Sequence, residues 1–107
     1  MAVQDLQPAT AITGASEGLG FALAKRLAKE GRTVILLART QASLAESAET
    51  LTKTYPRSRI IAAPLDAGDP SAPQTLDTLL ATHGLYLDVL VNNAGVGLGR
   101  RPRPEPA

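Results

Sequence analysis

The feature that most constrains the fold is an alternation of short strand-like runs with longer helical patterns. Four runs rich in β-prone and apolar residues follow one another at the spacing of βαβ units. They are Ala9–Thr13, Thr33–Ala38, Arg59–Pro64 and Leu87–Val91. Strands that alternate with helices form parallel sheets joined by right-handed crossovers. The sequence therefore predicts an α/β fold with a parallel sheet of about four strands and three helices.

Between successive runs, apolar residues recur with the period of an α-helix. The apolar positions that carry it are Leu19, Leu23 and Leu27 with Ala22, Ala24 and Ala28, then Leu44, Ala48, Leu51 and Tyr55, then Leu76, Leu79 and Leu80. Each set predicts an amphipathic helix. Gly31 is placed as a C-cap, Pro56 ends the second helix, and Asp69 before Pro70 is typical of an N-cap with proline at the first helical position.

Composition excludes several classes of function. The 107 residues suffice for one domain at most. Eleven basic and 10 acidic residues give a net charge of +1, which argues against nucleic acid as a partner. The absence of cysteine and the single histidine, His83, argue against a metal site. No apolar run has membrane-spanning length and no signal peptide is evident, so we expect a cytoplasmic protein with no membrane partner.

A glycine-rich turn follows the first predicted strand and opens the first predicted helix. It reads Thr13-Gly14-Ala15-Ser16-Glu17-Gly18-Leu19-Gly20. Glycines allow a tight turn and a close backbone approach to a pyrophosphate, while the helix N-terminus offers free N–H groups. The spacing G-x-x-x-G-x-G differs from G-x-G-x-x-G and from a P-loop. A merely structural β-to-α turn is the alternative interpretation.

Three motifs together resemble the short-chain dehydrogenase/reductase family. Its first turn carries T-G-x-x-x-G-x-G, matched by Thr13, Gly14, Gly18 and Gly20, and its fourth strand ends in N-N-A-G, matched by 92–95. An aspartate that lies near the adenine in the family corresponds to Asp66. The resemblance covers about residues 9–97. It implies a Rossmann fold of strand order 3-2-1-4, here truncated, whose ligand crevice lies between the first and fourth strands.

The resemblance also implies cofactor-binding residues. These are Gly14, Ser16, Glu17, Gly18, Leu19, Gly20, Arg39, Asp66, Asn93, Ala94 and Gly95. One of the two asparagines, Asn92 or Asn93, is expected to tie the fourth strand to its neighbours. NAD-preferring enzymes place an acid at the end of the second strand, where this sequence has Ala38 followed by Arg39. A guanidinium suits a 2′-phosphate, so Arg39 favours NADP over NAD. Glu17 departs mildly from NADP-preferring relatives, which often carry a second cation near there.

No residue of the chain is predicted to be catalytic. In the family, Tyr-x-x-x-Lys and an upstream serine carry the chemistry. Here Tyr55 is followed four positions later by Arg59, and Tyr86 by Leu90. Ser16 lies in the phosphate turn, and His83 is interpreted as a solvated helix-end residue. We therefore expect no hydride transfer from this chain by itself.

The predicted organisation is an N-terminal tail at 1–8, a Rossmann NADP-binding half-domain at 9–97 and an Arg/Pro-rich disordered tail at 98–107. The predicted function is the NADP(H)-binding portion of an oxidoreductase that transfers hydride between carbonyl and alcohol, truncated before Tyr-x-x-x-Lys. The alternative is a non-enzymatic nucleotide-binding or regulatory module that pairs with a full-length homologue. An open fourth-strand edge, with partly exposed side chains at Val34–Leu37 and Ile60–Ala63, predicts self-association or such docking.

Overall fold

A single parallel sheet with helices on both faces forms the structure, a computed structural model that describes residues 5–16 and 18–93. The predicted tails therefore lie largely outside the described residues. The elements are β1 (Gln7–Thr13), α1 (Gly18–Lys29), β2 (Thr33–Ala38), α2 (Gln41–Thr54), β3 (Arg59–Pro64), α3 (Ala72–Thr82) and β4 (Leu85–Val91). The sheet order is β3-β2-β1-β4, which confirms the predicted order 3-2-1-4.

Register brings the carboxyl ends of the strands to one edge of the sheet. Thr13 of β1 lies beside Leu37 of β2, and Ile12 lies beside Val91 of β4. The pairing of β1 with β4 contains one irregularity, where Ala9 pairs with Leu87 and Thr10 with Val89. The order of the strands in the sheet reverses direction between β1 and β4. The loops that follow these two strands therefore flank a common crevice.

Helices α1 and α2 cover one face of the sheet. The core there consists of Ile12, Ala15, Ala24, Ala28, Val34, Leu36, Leu44 and Leu51. The period of α2 is confirmed, because Leu44 and Leu51 are fully buried and Ala48 and Tyr55 pack against them.

The buried stripe of α1 differs from the leucine pattern that predicted the helix. Gly20, Ala24 and Ala28 face the sheet, whereas Leu23 and Leu27 are half-buried and flank them. Leu19 is 73% exposed. Small residues at every fourth position let the helix axis approach the sheet closely, which displaces the leucines to the sides of the stripe.

Helix α3 covers the opposite face, and here one expectation is wrong. Val34–Leu37 were expected to stay partly exposed, yet all four are at most 1% exposed. Ile35 and Leu37 pack with Leu76 and Leu80 of α3. Because β2 is a central strand, neighbouring strands shield its flanks and partly buried residues such as Leu65 complete the cover. The expected exposure holds for β3, where Ile60, Ile61 and Ala63 are half-buried and Ala62 is exposed.

Element boundaries differ from the predicted ones at three places. β1 and β4 each begin two residues earlier than predicted, at Gln7 and Leu85. α3 begins at Ala72, after Ser71 rather than after Asp69, with proline in its first two positions. The Asp69 carboxylate accepts hydrogen bonds from the Ser71 N–H and hydroxyl, both at 2.8 Å. These bonds, the backbone one first, lower the pKa of Asp69. Asp69 thus closes a turn ahead of the helix.

His83 caps α3 and is half-buried, with Nδ1 2.9 Å from the Leu79 carbonyl oxygen, so it is more than a solvated residue.

Within the described residues, no helix has the length and apolar character needed to cross a membrane.

Candidate cofactor site at the carboxyl edge of the sheet

The glycine turn connects β1 to α1 at the carboxyl edge. Gly14 and Gly18 adopt φ values of 62° and 61°, in the left-handed region that favours glycine. α1 begins at Gly18 and carries no acidic residue in its first turn. The first N–H groups of a helix lack intrahelical partners and carry partial positive charge, so this end of α1 is chemically suited to an anion.

Three different elements hold the backbone of this turn. The Asn93 side chain, beyond β4, donates from Nδ2 to the Gly14 carbonyl at 3.2 Å. The Ala15 N–H donates to the Leu37 carbonyl of β2 at 3.1 Å. Ser47 of α2 donates from Oγ to the Ser16 carbonyl, also at 3.1 Å. Hydrogen bonds within the protein therefore hold the backbone of residues 14–16 in place.

The end of β4 is tied to the end of β1 through both asparagines. The Thr13 hydroxyl lies 3.1 Å from Asn92 Oδ1 and 3.4 Å from the Val91 carbonyl oxygen. Asn93 makes the second tie, through Gly14. One asparagine was expected to serve structure in this way, and both do. Two side-chain contacts therefore join the carboxyl ends of β1 and β4.

Gly20 packs against the Gly14 carbonyl group and the Asn93 side chain. A Cβ atom built on Gly20 would lie 2.3 Å from the Gly14 carbonyl oxygen and 2.7 Å from Asn93 Nδ2. Neither distance is compatible with a side chain, and the nearer atom belongs to the backbone. The first turn of α1 can thus pack against the glycine turn only because residue 20 has no side chain.

Arg39 follows β2 directly at the same edge of the sheet. Its side chain is exposed, and no carboxylate among the described residues forms an ion pair with it. Asp66 is the second residue after β3 and is exposed, with Oδ1 accepting a hydrogen bond from the Gly68 N–H at 2.9 Å. The edge thus carries an exposed cation beyond β2 and a locally bonded carboxylate beyond β3.

The structure brings most of the sequence-predicted site residues to this one edge. Gly14, Ser16, Gly18, Leu19 and Gly20 lie in or beside the turn, with Arg39, Asp66 and Asn93 in the loops after the other strands. Glu17, Ala94 and Gly95 lie outside the described residues. No group of three or more potential metal ligands occurs among residues 5–16 and 18–93.

Sequence reasoning missed Ser47. It is a buried polar residue on α2, three residues after Leu44 and four before Leu51, so its position on the apolar face could have identified it. A buried hydroxyl on such a face requires a hydrogen-bond partner, which signals a contact with another element.

The fold and the turn together define a Rossmann-type α/β domain. A family model described as short chain dehydrogenase matches residues 8–106. The chain belongs to that family. The match extends past residue 97, where the resemblance described from the sequence motifs ends.

Individual relatives agree with this assignment. The (+)-neomenthol dehydrogenase of Arabidopsis thaliana is 39% identical over 88 residues, which are 80% of this chain and 30% of that protein. The structure of menthone neomenthol reductase from Mentha piperita matches with a TM-score of 0.75 at 35% identity, over 84% of this chain and 32% of the other. An L-sorbose reductase from Gluconobacter frateurii, solved with NADPH and L-sorbose, gives 0.78 at 32% identity, over 91% and 36%. The chain thus spans about a third of the length of these relatives.

Proposed function

We propose that this chain binds NADP(H) and is the cofactor-binding portion of an oxidoreductase that interconverts carbonyl and alcohol groups. The observation that carries the proposal is the glycine turn at the start of α1, held by hydrogen bonds from three elements. A turn whose shape is fixed before binding loses little conformational freedom when a ligand arrives. The exposed Arg39 at the same edge supplies a cation beside it.

The pyrophosphate and the 2′-phosphate of the cofactor each have a chemically suited partner. The pyrophosphate would lie at the N-terminus of α1, against the backbone of the glycine turn. The 2′-phosphate of the adenosine ribose would lie at the Arg39 guanidinium, which can donate two charge-assisted hydrogen bonds to it. Asn93 Nδ2 already bonds the Gly14 carbonyl, so its proposed contribution is to shape the crevice floor. When bound, this cofactor supplies or accepts a hydride.

The relatives support the same assignment. The sorbose reductase structure is described as a complex with NADPH, and the other two relatives are named as a dehydrogenase and a reductase. We assign no catalytic residue to these 107 residues, because none of their tyrosines has a lysine four positions later. The proposed substrate class is a ketone or aldehyde and the corresponding alcohol. Only the family membership supports this part of the proposal.

Replacing Arg39 with alanine tests the choice of cofactor. We expect wild type to bind NADPH more tightly than NADH, and Arg39→Ala to weaken NADPH binding by about tenfold to a hundredfold. NADH affinity should stay the same, because its ribose presents no 2′-phosphate to the lost guanidinium. Titration followed by nicotinamide fluorescence measures both affinities.

The matched control is Arg59→Ala, which removes an exposed arginine at the opposite, amino-terminal edge of the sheet. It should leave both affinities unchanged. Equal affinities of wild type for NADPH and NADH, unaltered by Arg39→Ala, would rule out the proposed preference, and no binding of either cofactor would rule out the proposed function.

A further inference from the structure

Ser47 is a buried polar residue in an otherwise apolar interface between α2 and the sheet. It is 7% exposed and lies on the helix face that also buries Leu44 and Leu51. Its hydroxyl bonds the carbonyl oxygen of Ser16, 31 residues away in sequence. The other serine of α2 behaves differently, since Ser43 donates to the carbonyl of Thr40 at the start of its own helix. The Ser47 contact is thus the one described side-chain hydrogen bond that joins α2 to the glycine turn.

The same helix begins beside the proposed 2′-phosphate partner. α2 starts at Gln41, only two residues after Arg39. One rigid element therefore contacts the glycine turn through Ser47 and continues directly from the loop that carries Arg39. The hydrogen bond from Ser47 therefore restrains the Ser16 carbonyl within the turn.

We propose that Ser47 is a positioning residue that sets the glycine turn relative to Arg39, so that one dinucleotide engages both. This inference rests on the proposed NADP(H) function. Ser47 would not touch the cofactor, because its hydroxyl is directed to the Ser16 carbonyl within the protein. Its effect would be on ligands that span both parts of the site, and not on ligands that need Arg39 alone.

The Ser47→Ala variant separates these two kinds of ligand. We expect it to weaken NADPH binding by about fivefold to tenfold, the range of one net hydrogen bond. Binding of adenosine 2′-monophosphate, which carries only the phosphate proposed for Arg39, should be unchanged. Ser47→Thr keeps a hydroxyl and should restore NADPH affinity, while Ser43→Ala on the same helix should have no effect.

A measurement without cofactor makes the test independent of the proposed function. The Ala15 N–H, bonded to the Leu37 carbonyl, lies inside the turn and reports its opening. Its hydrogen exchange should accelerate about fivefold to tenfold in Ser47→Ala and not in Ser43→Ala. Unchanged exchange, unchanged NADPH affinity, or equal weakening of both ligands would overturn the positioning role. Wild type that binds neither ligand would contradict the proposed function, while the exchange rate still decides the role of Ser47.

Discussion

Replacing Gly20 with alanine is expected to weaken NADPH binding strongly and to destabilise the fold. The new Cβ would lie 2.3 Å from the Gly14 carbonyl oxygen and 2.7 Å from Asn93 Nδ2. Either the glycine turn or the first turn of α1 must move, and the Asn93 bond to Gly14 breaks as it does. We expect a loss of about 2–4 kcal/mol in the free energy of unfolding, from overpacking and the lost bond. A displaced turn should bind NADPH about a hundredfold more weakly, which corresponds to the loss of about two hydrogen bonds to the pyrophosphate. Urea unfolding and cofactor titration measure the two effects.

Gly18→Ala is the matched control for this variant. Among the described residues, no atom outside its chain neighbours and the backbone of its own helix lies within 4 Å of a Cβ built on Gly18, so the cost of this variant comes from the φ of 61°. That cost is about 1–2 kcal/mol. Gly20→Ala should therefore be the more damaging of the two. A Gly20→Ala chain as stable as wild type, with NADPH affinity intact, would show that the turn does not pack against α1 as described.

The 107-residue chain is expected to self-associate through β4. Among the described strands β4 pairs with β1 alone, so one row of its backbone N–H and C=O groups has no partner within the described sheet. Val89 and Leu90 are 45% and 49% exposed on this strand, and Asp88 is its only charge. Exposed apolar edges are sites of strand pairing between chains. Sedimentation at micromolar concentration should show dimers or larger species.

A charge on this edge should reverse the association. Leu90→Lys places a desolvation cost and a repulsive charge at the edge, and we expect it to weaken dimerisation at least about tenfold. Leu19→Lys is the control, since Leu19 is equally apolar and 73% exposed but lies on α1. A wild-type monomer at these concentrations would contradict the self-association proposal. An association that Leu19→Lys abolishes and Leu90→Lys leaves intact would assign it to another surface.

The fold was predictable because its signals are local and repeated. The apolar run at Thr33–Ala38 has the pattern of a strand covered on both faces, and its bounds match β2. The bounds of β3 were predicted equally well, since Pro64 and the polar residues after it limit the strand. Helix starts were less predictable. The Asp69-Pro70 pair resembles a cap, yet the carboxylate closes a turn and the helix begins at Ala72.

Burial was harder to predict than topology. Counting helices on each face suggested that Val34–Leu37 would stay partly exposed, but a central strand is also shielded by the strands on either side of it. The exposed apolar area instead concentrates on the edge strands, which have a neighbour on one side only. This distinction depends on three-dimensional position within the sheet, and a one-dimensional pattern does not contain it.

The location of the candidate site was predictable, but the hydrogen bonds that hold its glycine turn were not. The glycine spacing and the residues that follow each strand are sufficient to place the candidate site residues at the carboxyl edge. The bonds that fix the turn join residues far apart in sequence, such as Asn93 with Gly14 and Ser47 with Ser16. Neither pair follows from spacing, because each depends on how closely α1 and α2 approach the sheet.

Amide chemical shifts measured during an NADPH titration test whether the crevice between β1 and β4 binds NADP(H). We expect saturable shifts at Gly14, Gly18, Gly20 and Arg39. Gly31 and Gly84 precede β2 and β4 at the amino-terminal edge and serve as internal controls that should not shift. Shifts confined to Gly31 and Gly84, or no shifts at millimolar NADPH, would contradict the account.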